Sequence, residues 1–454
     1  MLSETNEEYV VSRNACKLCT PLGASLAFKG IQGAIPLLHG SQGCSTYIRR
    51  YLISHFKEPV DVACSNFGEQ TAIFGGEANL KVALDNIRCQ YKPEFIGVAT
   101  TCLSETIGDD VPGFIRKYLE TNNPDEVPPI AQVPTPSYRG THIDGFHGAV
   151  KAVVDVLAVQ RERDTDQINI FPGMLSPADL RHLKGILSDF GAPFVMLPDY
   201  SQTLDGAPWT EYHRIPAGGT PVSDIARMGE STATLEFGRI LARQNSAGKL
   251  LSQRHGRPCH SLGLPIGVNE SDALFRAIEL ITGKPTPEKY VTERERLVDA
   301  YVDGHKYVMD ARAVVYGEED LVVGLVAFLS EIGITPVLCA SGGKSGLLTE
   351  TIQGVVPDHS EKGIRIMEGA DFTAIEEAAQ DLQPDLVIGH SKGYAMARRL
   401  NVPLVRVGFP IHDRVGGPRI LHVGYGGAQQ LFDRIVNTIL EKRQETSAVG
   451  YSYM

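Results

Sequence analysis

The chain has 454 residues, with 43 Lys plus Arg against 54 Asp plus Glu, for a formal net charge of −11. That length suits roughly two to four domains, and 43% apolar with 21% charged residues excludes a disordered or low-complexity chain. No apolar run approaches the ~20 residues of a membrane span, and the acidic start MLSETNEEYVVSRNACK is unlike a signal peptide. Lys and Arg are not clustered as nucleic-acid binding requires. The expectation is a cytoplasmic protein with neither a membrane nor a nucleic-acid partner.

Short apolar runs alternate with amphipathic stretches, the pattern of parallel α/β folds. A helix is predicted from Gly75 to Tyr91 and a buried strand at Phe95–Thr101. The Pro-rich residues 121–141 read as a loop around one short strand, followed by a helix from about Gly145 to Gln160. A second unit opens with a strand in Gln167–Gly173. Ser176-Pro177 starts a helix there, with Pro at its first position, running towards Phe190, and Pro193–Leu197 is the next strand. The third unit places strands at Arg312–Tyr316, Thr335–Cys339, Asp385–Gly389 and Pro403–Val407, with helices at Asp320–Ile332 and Gly393–Leu400. Three α/β units follow, over residues 1–165, 166–295 and 296–454, with right-handed crossovers. Ligands in such units bind beyond the carboxyl ends of the strands.

Six of the eight cysteines, Cys16, Cys19, Cys44, Cys64, Cys89 and Cys102, fall in the first 102 residues; Cys259 and Cys339 lie beyond. That clustering points to thiolate chemistry or metal binding, against small buried hydrophobes as the bland reading. Cys19 precedes Thr-Pro-Leu-Gly, Cys44 ends His39-Gly-Ser-Gln-Gly-Cys44, and Cys102 follows a strand directly. Small neighbours (Gly40, Gly43, Ser45, Ser104) let a bulky iron–sulfur cluster approach the backbone, where N–H groups tune its potential. Spacing alone leaves the cluster and the structural-thiol readings both open. Three thiolates cannot saturate the irons of a cubane, so a cluster here needs a second chain. Cys16 and Cys19 form a C-x-x-C pair, a weak redox signal on its own; Cys64, Cys89, Cys259 and Cys339 read as structural.

Gly389-His-Ser-Lys-Gly393 fits a nucleophile elbow between strand and helix, with Ser391, Asp413 and His422 in hydrolase order and His39-Gly40 as an oxyanion turn. Asp413 and His422 are only 9 residues apart, too few for the intervening strand and helix, so a plain tight turn is favoured. Ser341–Gly346 fails the phosphate-loop pattern because Leu338 stands where Gly is needed. His142 and His147, flanking Asp144, lack a partner at metal-ligand spacing and read as surface or helix-start residues. Phe74-Gly-Gly76 and Ser104–Asp110 place an aromatic, an apolar tip and three acids in loops, the make-up of a docking surface. Helix capping accounts for Asp109 and Asp110 but not for the whole set.

Together, Cys19-Thr-Pro-Leu-Gly23, His39-Gly-Ser-Gln-Gly-Cys44, Ser54-His-Phe-Lys-Glu-Pro59, Ile73-Phe-Gly-Gly76 and Thr100-Thr-Cys-Leu-Ser-Glu-Thr-Ile-Gly-Asp-Asp110 resemble the β-type subunits of nitrogenase component 1. Pro136-Ser137, Val405-Arg-Val-Gly-Phe-Pro410 and Gly424-Tyr425 fit the same family, over nearly the whole chain. The resemblance implies three Rossmann-like parallel-sheet α/β domains around a central cleft, in an α2β2 heterotetramer with an α-type homologous subunit. It implies an interface iron–sulfur cluster, of the [8Fe-7S] P-cluster type or [4Fe-4S]. Cys19, Cys44 and Cys102 would be its ligands, Ser137 an oxidation-dependent ligand, Gly43 a packing neighbour, and Tyr47 would face the partner's cofactor. It further implies that an ATP-dependent Fe protein docks on Phe74, Glu105, Ile107, Gly108 and Asp109. The substrate-reducing cofactor would sit in the partner, leaving no catalytic residue in this chain. Molybdenum nitrogenase β-subunits carry a long N-terminal extension, whereas the first cluster cysteine here is residue 19. The expected choices are therefore an alternative nitrogenase, a nitrogenase-like reductase such as methylthio-alkane reductase, or the β-like half of the iron–molybdenum cofactor assembly scaffold. The Gly416-Gly417 stretch is similar to the last of these.

Overall fold

The computed structural model describes residues 14–159, 163–356 and 363–450. Among the described residues, thirteen strands form three all-parallel sheets. The first comprises β1 (Ala34–His39), β2 (Ala63–Cys64), β3 (Phe95–Thr100) and β4 (Ile130–Val133), in the order β2-β1-β3-β4. The second comprises β5 (Ile168–Phe171), β6 (Phe194–Met196), β7 (Ala233–Phe237) and β8 (Cys259–Leu262), in the order β6-β5-β7-β8. In the third, β9 (Arg312–Gly317), β10 (Thr335–Ser341), β11 (Arg365–Met367), β12 (Leu386–Gly389) and β13 (Leu404–Arg406) run in the order β11-β10-β9-β12-β13. Each sheet has the expected doubly wound character, with its first strand inside and later strands added on both sides. Beyond the carboxyl edges, Phe56, Asp179, Tyr200, Glu318, Phe409 and His422 line a central cavity to which all three sheet regions contribute.

The first sheet carries helices α1 (Thr20–Lys29), α2 (Gln42–Phe56), α3 (Glu69–Phe74), α4 (Glu77–Tyr91), α5 (Cys102–Ile107), α6 (Val111–Thr121) and α7 (His142–Leu157); α8 (Pro177–Asp189) opens the next unit. Every residue of β1 and β3 is buried, as a parallel sheet covered on both faces requires. Leu80, Leu84 and Ile87 of α4 and Ile115 and Tyr118 of α6 cover one face. On the other, Leu22 and Phe28 of α1 meet Phe146, Val150 and Val153 of α7. There the two backbones touch: a Cβ on Gly23 would lie 1.6 Å from the His142 carbonyl oxygen, and one on Gly145 1.9 Å from that of Thr20. Only a pair of reciprocal glycines permits this crossing.

The helix expected over Gly75–Tyr91 is present as α4 but starts two residues later. Gly75, at φ +87°, ends α3, and α4 starts at Glu77. Helix α7 begins earlier than expected, because the Asp144 carboxylate accepts the Thr141 N–H (2.7 Å) while the Thr141 hydroxyl accepts the Ile143 N–H (3.2 Å), a capping box. His142 is thus a helix-start residue but a buried one, and His147 is likewise largely enclosed rather than on the surface. Gln160, the expected end of this helix, lies outside the described residues. Among those residues, no helix is long and apolar enough to cross a membrane.

The α1–α7 crossing makes a paired prediction. Gly145→Val should destabilise the chain by ~1–3 kcal/mol through overpacking. Gly185→Ala, at an exposed site in α8 where a Cβ meets nothing within 4 Å, should be neutral or stabilise by up to about 1 kcal/mol. Denaturant melts of the two variants check both signs.

Candidate cluster-binding site at the carboxyl edge of the first sheet

Each of the three cysteines stands at a helix N-terminus. Cys19 is the N-cap of α1, Cys44 lies in the first turn of α2 behind Ser41, and Cys102 is the first residue of α5. Because α2 follows β1 and α5 follows β3, and α1 descends into β1, all three face the carboxyl edge of one sheet. Ser137, past the end of β4, joins two of them. Its N–H donates to Cys102 Sγ (3.3 Å) and its hydroxyl accepts the N–H of Thr20, next to Cys19 (3.2 Å). The Ser41 hydroxyl donates to Cys44 Sγ at 3.9 Å. Burial pushes the Cys44 thiol up; Ser41 opposes this, and the charges of Cys19, Cys102 and Cys64 add to it. The sulfurs therefore sit within electrostatic reach of one another, and Cys64, read from sequence as merely structural, belongs to the same neighbourhood.

Cys19 and Cys44 are half-buried and Cys102 is exposed, so the group opens to the outside of this chain. A Cβ on Gly43 would touch only Ser41 Oγ, at 3.8 Å, leaving free space in front of it. Tyr47, half-buried, packs on Tyr51 with ring centroids 4.7 Å apart. Burial, then the neighbouring Cys19, drives its phenol well above the usual range. Among the described residues, no three His, Cys, Asp or Glu side chains converge tightly enough for a single metal ion. Three spread thiols, a hydroxyl and the positive ends of helices are a soft donor set with anion-stabilising dipoles, which fits the perimeter of an iron–sulfur cluster.

The docking candidates form a second, adjoining surface. Phe74 is 84% exposed and Ile73 74%, Ile107 is half-exposed, and Gly108, at φ +77°, caps α5 in the open. Glu105 accepts the Thr100 hydroxyl at 2.6 Å. Asp109 differs from expectation: its side chain is buried, accepting the Gly76 N–H (3.0 Å) and pairing with His39 Nε2 (3.0 Å). It ties the ends of α3 and α5 together from behind rather than presenting charge. Burial lowers His39 below its ordinary value, against the pull of Asp109.

The hydrolase constellation does not assemble. The Ser391 hydroxyl donates straight to Asp413 Oδ1 (2.6 Å), while His422 Nδ1 pairs with Asp179 (3.1 Å). Asp413 is also clamped by Arg406, and the Gly40 N–H is spent on Ser65 Oγ (2.9 Å). Among the described residues no histidine bridges acid and serine, so the elbow motif is a structural turn.

Fold and site together define a three-sheet parallel α/β protein with a soft-ligand edge left open for another molecule. The chain belongs to the nitrogenase component 1 type oxidoreductases, whose sequence model matches residues 19–440, and within them it is of the β type. A nitrogenase molybdenum-iron protein beta chain from Methanococcus maripaludis is 35% identical over 98% of both chains. A solved structure described as nitrogenase Cp1 at pH 6.5 superposes with a TM-score of 0.94 at 34% identity, covering 99% of this chain and 98% of that one. The iron-molybdenum cofactor biosynthesis protein NifN of Bradyrhizobium diazoefficiens is 33% identical over 95% of this chain and 90% of its own. The position of Cys19 does not separate this chain from molybdenum-iron relatives, since one of them matches it over 98% of both chains.

Acid should loosen the approach to Cys19. His142 Nδ1 accepts the Leu18 N–H (3.4 Å), and burial pulls this ring down to about 3 from 6.5. Neutral when folded and protonated when unfolded, His142 favours unfolding increasingly as pH falls from 6.5 towards 3. Melting temperature should drop across that range and drop less in His142→Gln; parallel curves would count against the assignment.

Proposed function

We propose that this chain, paired with an α-type homologous subunit in an α2β2 heterotetramer, holds one side of an interface iron–sulfur cluster, of the [8Fe-7S] P-cluster type or [4Fe-4S]. It thereby forms one wall of an electron relay between an ATP-dependent Fe protein and a metal cofactor in the partner, in the cytoplasm. The observation that carries this reading is the meeting of Cys19, Cys44, Cys102 and Ser137 at one open sheet edge. A bound iron–sulfur cluster supplies one-electron transfer at a potential set by its thiolates, N–H donors and exposure.

The chain's own residues have separable tasks. Cys19, Cys44 and Cys102 ligate; since burial holds the Cys44 thiol protonated, loading must release its proton, so assembly is favoured as pH rises. The Ser137 hydroxyl can exchange its bond to Thr20 for iron. Gly43 leaves room, and Tyr47 turns towards the partner. Phe74, Glu105, Ile107 and Gly108 meet the reductase, with Asp109 bracing them. A second reading, as half of a cofactor-assembly scaffold, has its support in the similarity to NifN. It differs in predicting iron without reductase-driven turnover.

The test is anaerobic co-purification with the partner, metal counting, and turnover with reductase and ATP. The reading predicts brown protein with about four or more irons per αβ pair. Cys44→Ala should lose the cluster's electron paramagnetic signal and weaken the heteromer; full iron in that variant contradicts the ligand assignment. Phe74→Ala should keep its iron yet lose reductase-driven turnover by about tenfold, as a docking anchor does; unchanged turnover removes Phe74 from the interface.

A further inference from the structure

The segment that delivers Cys19 is fastened to the third sheet. Ala15 forms an antiparallel bridge with Asp371. The Phe372 N–H donates to the Asn14 carbonyl (3.0 Å) and the Cys16 N–H to that of Ala370 (3.4 Å). A Cβ on Gly342 would come within 2.5 Å of the Cys16 carbonyl, so the strap lies flat on the turn after β10. Over its far end reaches Lys392, from the Gly389–Gly393 turn after β12. Its ammonium donates to the carbonyl oxygens of Ala15 and of Lys17 (3.3 Å for the latter) and stands 6.0 Å over the Phe372 ring. Lys17 is two residues from Cys19; burial lowers the Lys392 ammonium below its ordinary value, and the neighbouring Cys16 and Cys19 oppose that shift. Burial pushes the Cys16 thiol up to about 12, so Cys16 does not neutralise this cation at ordinary pH. Cys19 is the other sulfur in its neighbourhood.

We propose that Lys392 is a positioning residue for the interface cluster: it locks the strap that presents Cys19, and its fixed positive charge raises the reduction potential of whatever iron–sulfur group Cys19 ligates. The inference rests on the cluster reading above. A half-buried cation stabilises the more negative, reduced state of a neighbouring cluster, because the surroundings screen it less than water does. The two carbonyls hold the ammonium in place, so the same side chain supplies both geometry and charge. This gives the Gly-His-Ser-Lys-Gly motif a role that its Ser391 does not have.

The experiment is a redox titration of the full heteromeric complex, followed by the cluster's paramagnetic signal, alongside iron counting and the rate of iron loss to bathophenanthroline. The proteins are the wild type, Lys392→Met and Lys392→Arg. Lys392→Met should shift the midpoint potential to more negative values and lose iron several-fold faster, and Lys392→Arg should restore both. If Lys392→Met loses its iron altogether, recovery in Lys392→Arg supports the clamp, whereas loss in both variants contradicts a role for the charge. An unchanged potential at full iron in Lys392→Met overturns the proposal. A wild-type complex without iron overturns the cluster reading and Lys392's role with it.

Discussion

The sulfurs of Cys19, Cys44 and Cys102 lie at helix N-termini, and that placement follows from the direction of the strands. In a parallel sheet every strand ends on the same edge, and each following helix begins there with unpaired N–H groups and the positive end of its dipole. Helices α2 and α5 take Cys44 and Cys102 to that edge directly. Cys19 reaches it because α1 lies against α7 at a distance only Gly23 and Gly145 allow. Ser137 completes the set from the end of β4, hydrogen-bonded to both the Cys102 sulfur and the first turn of α1. Residues spread over more than a hundred positions thus share one anion-favouring edge.

That edge is open. Cys102 is exposed and its companions are half-buried, with free space before Gly43. Behind it, the third sheet holds the Asn14–Lys17 strap through Ala370, Phe372 and Lys392. The position of Cys19 therefore depends on residues from the far end of the sequence. Beside it, Asp109 ties the ends of α3 and α5 into one surface through Gly76 and His39, so these loops and the thiol edge share a foundation in β1.

Much of this organisation was legible in the residues. The strands β3, β5, β6, β9, β10, β12 and β13 are short runs dominated by apolar residues, and Ser176-Pro177 announces α8 by cap and proline alike. Others were not. Strand β1 carries Pro36 in its middle, which ordinarily argues against a central strand. Strands β2 and β11 are two and three residues long, and β8 alternates Cys, His and Ser with little apolar signal. At the site, residue types flagged the thiols, but neither spacing nor periodicity reports that Asp109 turns inward onto a buried histidine. The nucleophile-elbow pattern encodes a turn, as the short Asp413–His422 spacing indicated, and the histidine its chemistry would need pairs with Asp179 instead. Lys392 was inside a motif that was read for its serine; only the three-dimensional placement of the strap reveals which side chain matters.

The most direct measurement is anomalous diffraction at the iron edge from anaerobic crystals of the chain with its α-type partner. The account predicts iron density at bonding distance from the sulfurs of Cys19, Cys44 and Cys102, at the boundary between the two subunits. Iron located elsewhere in the complex, with these three thiols unligated, would contradict it.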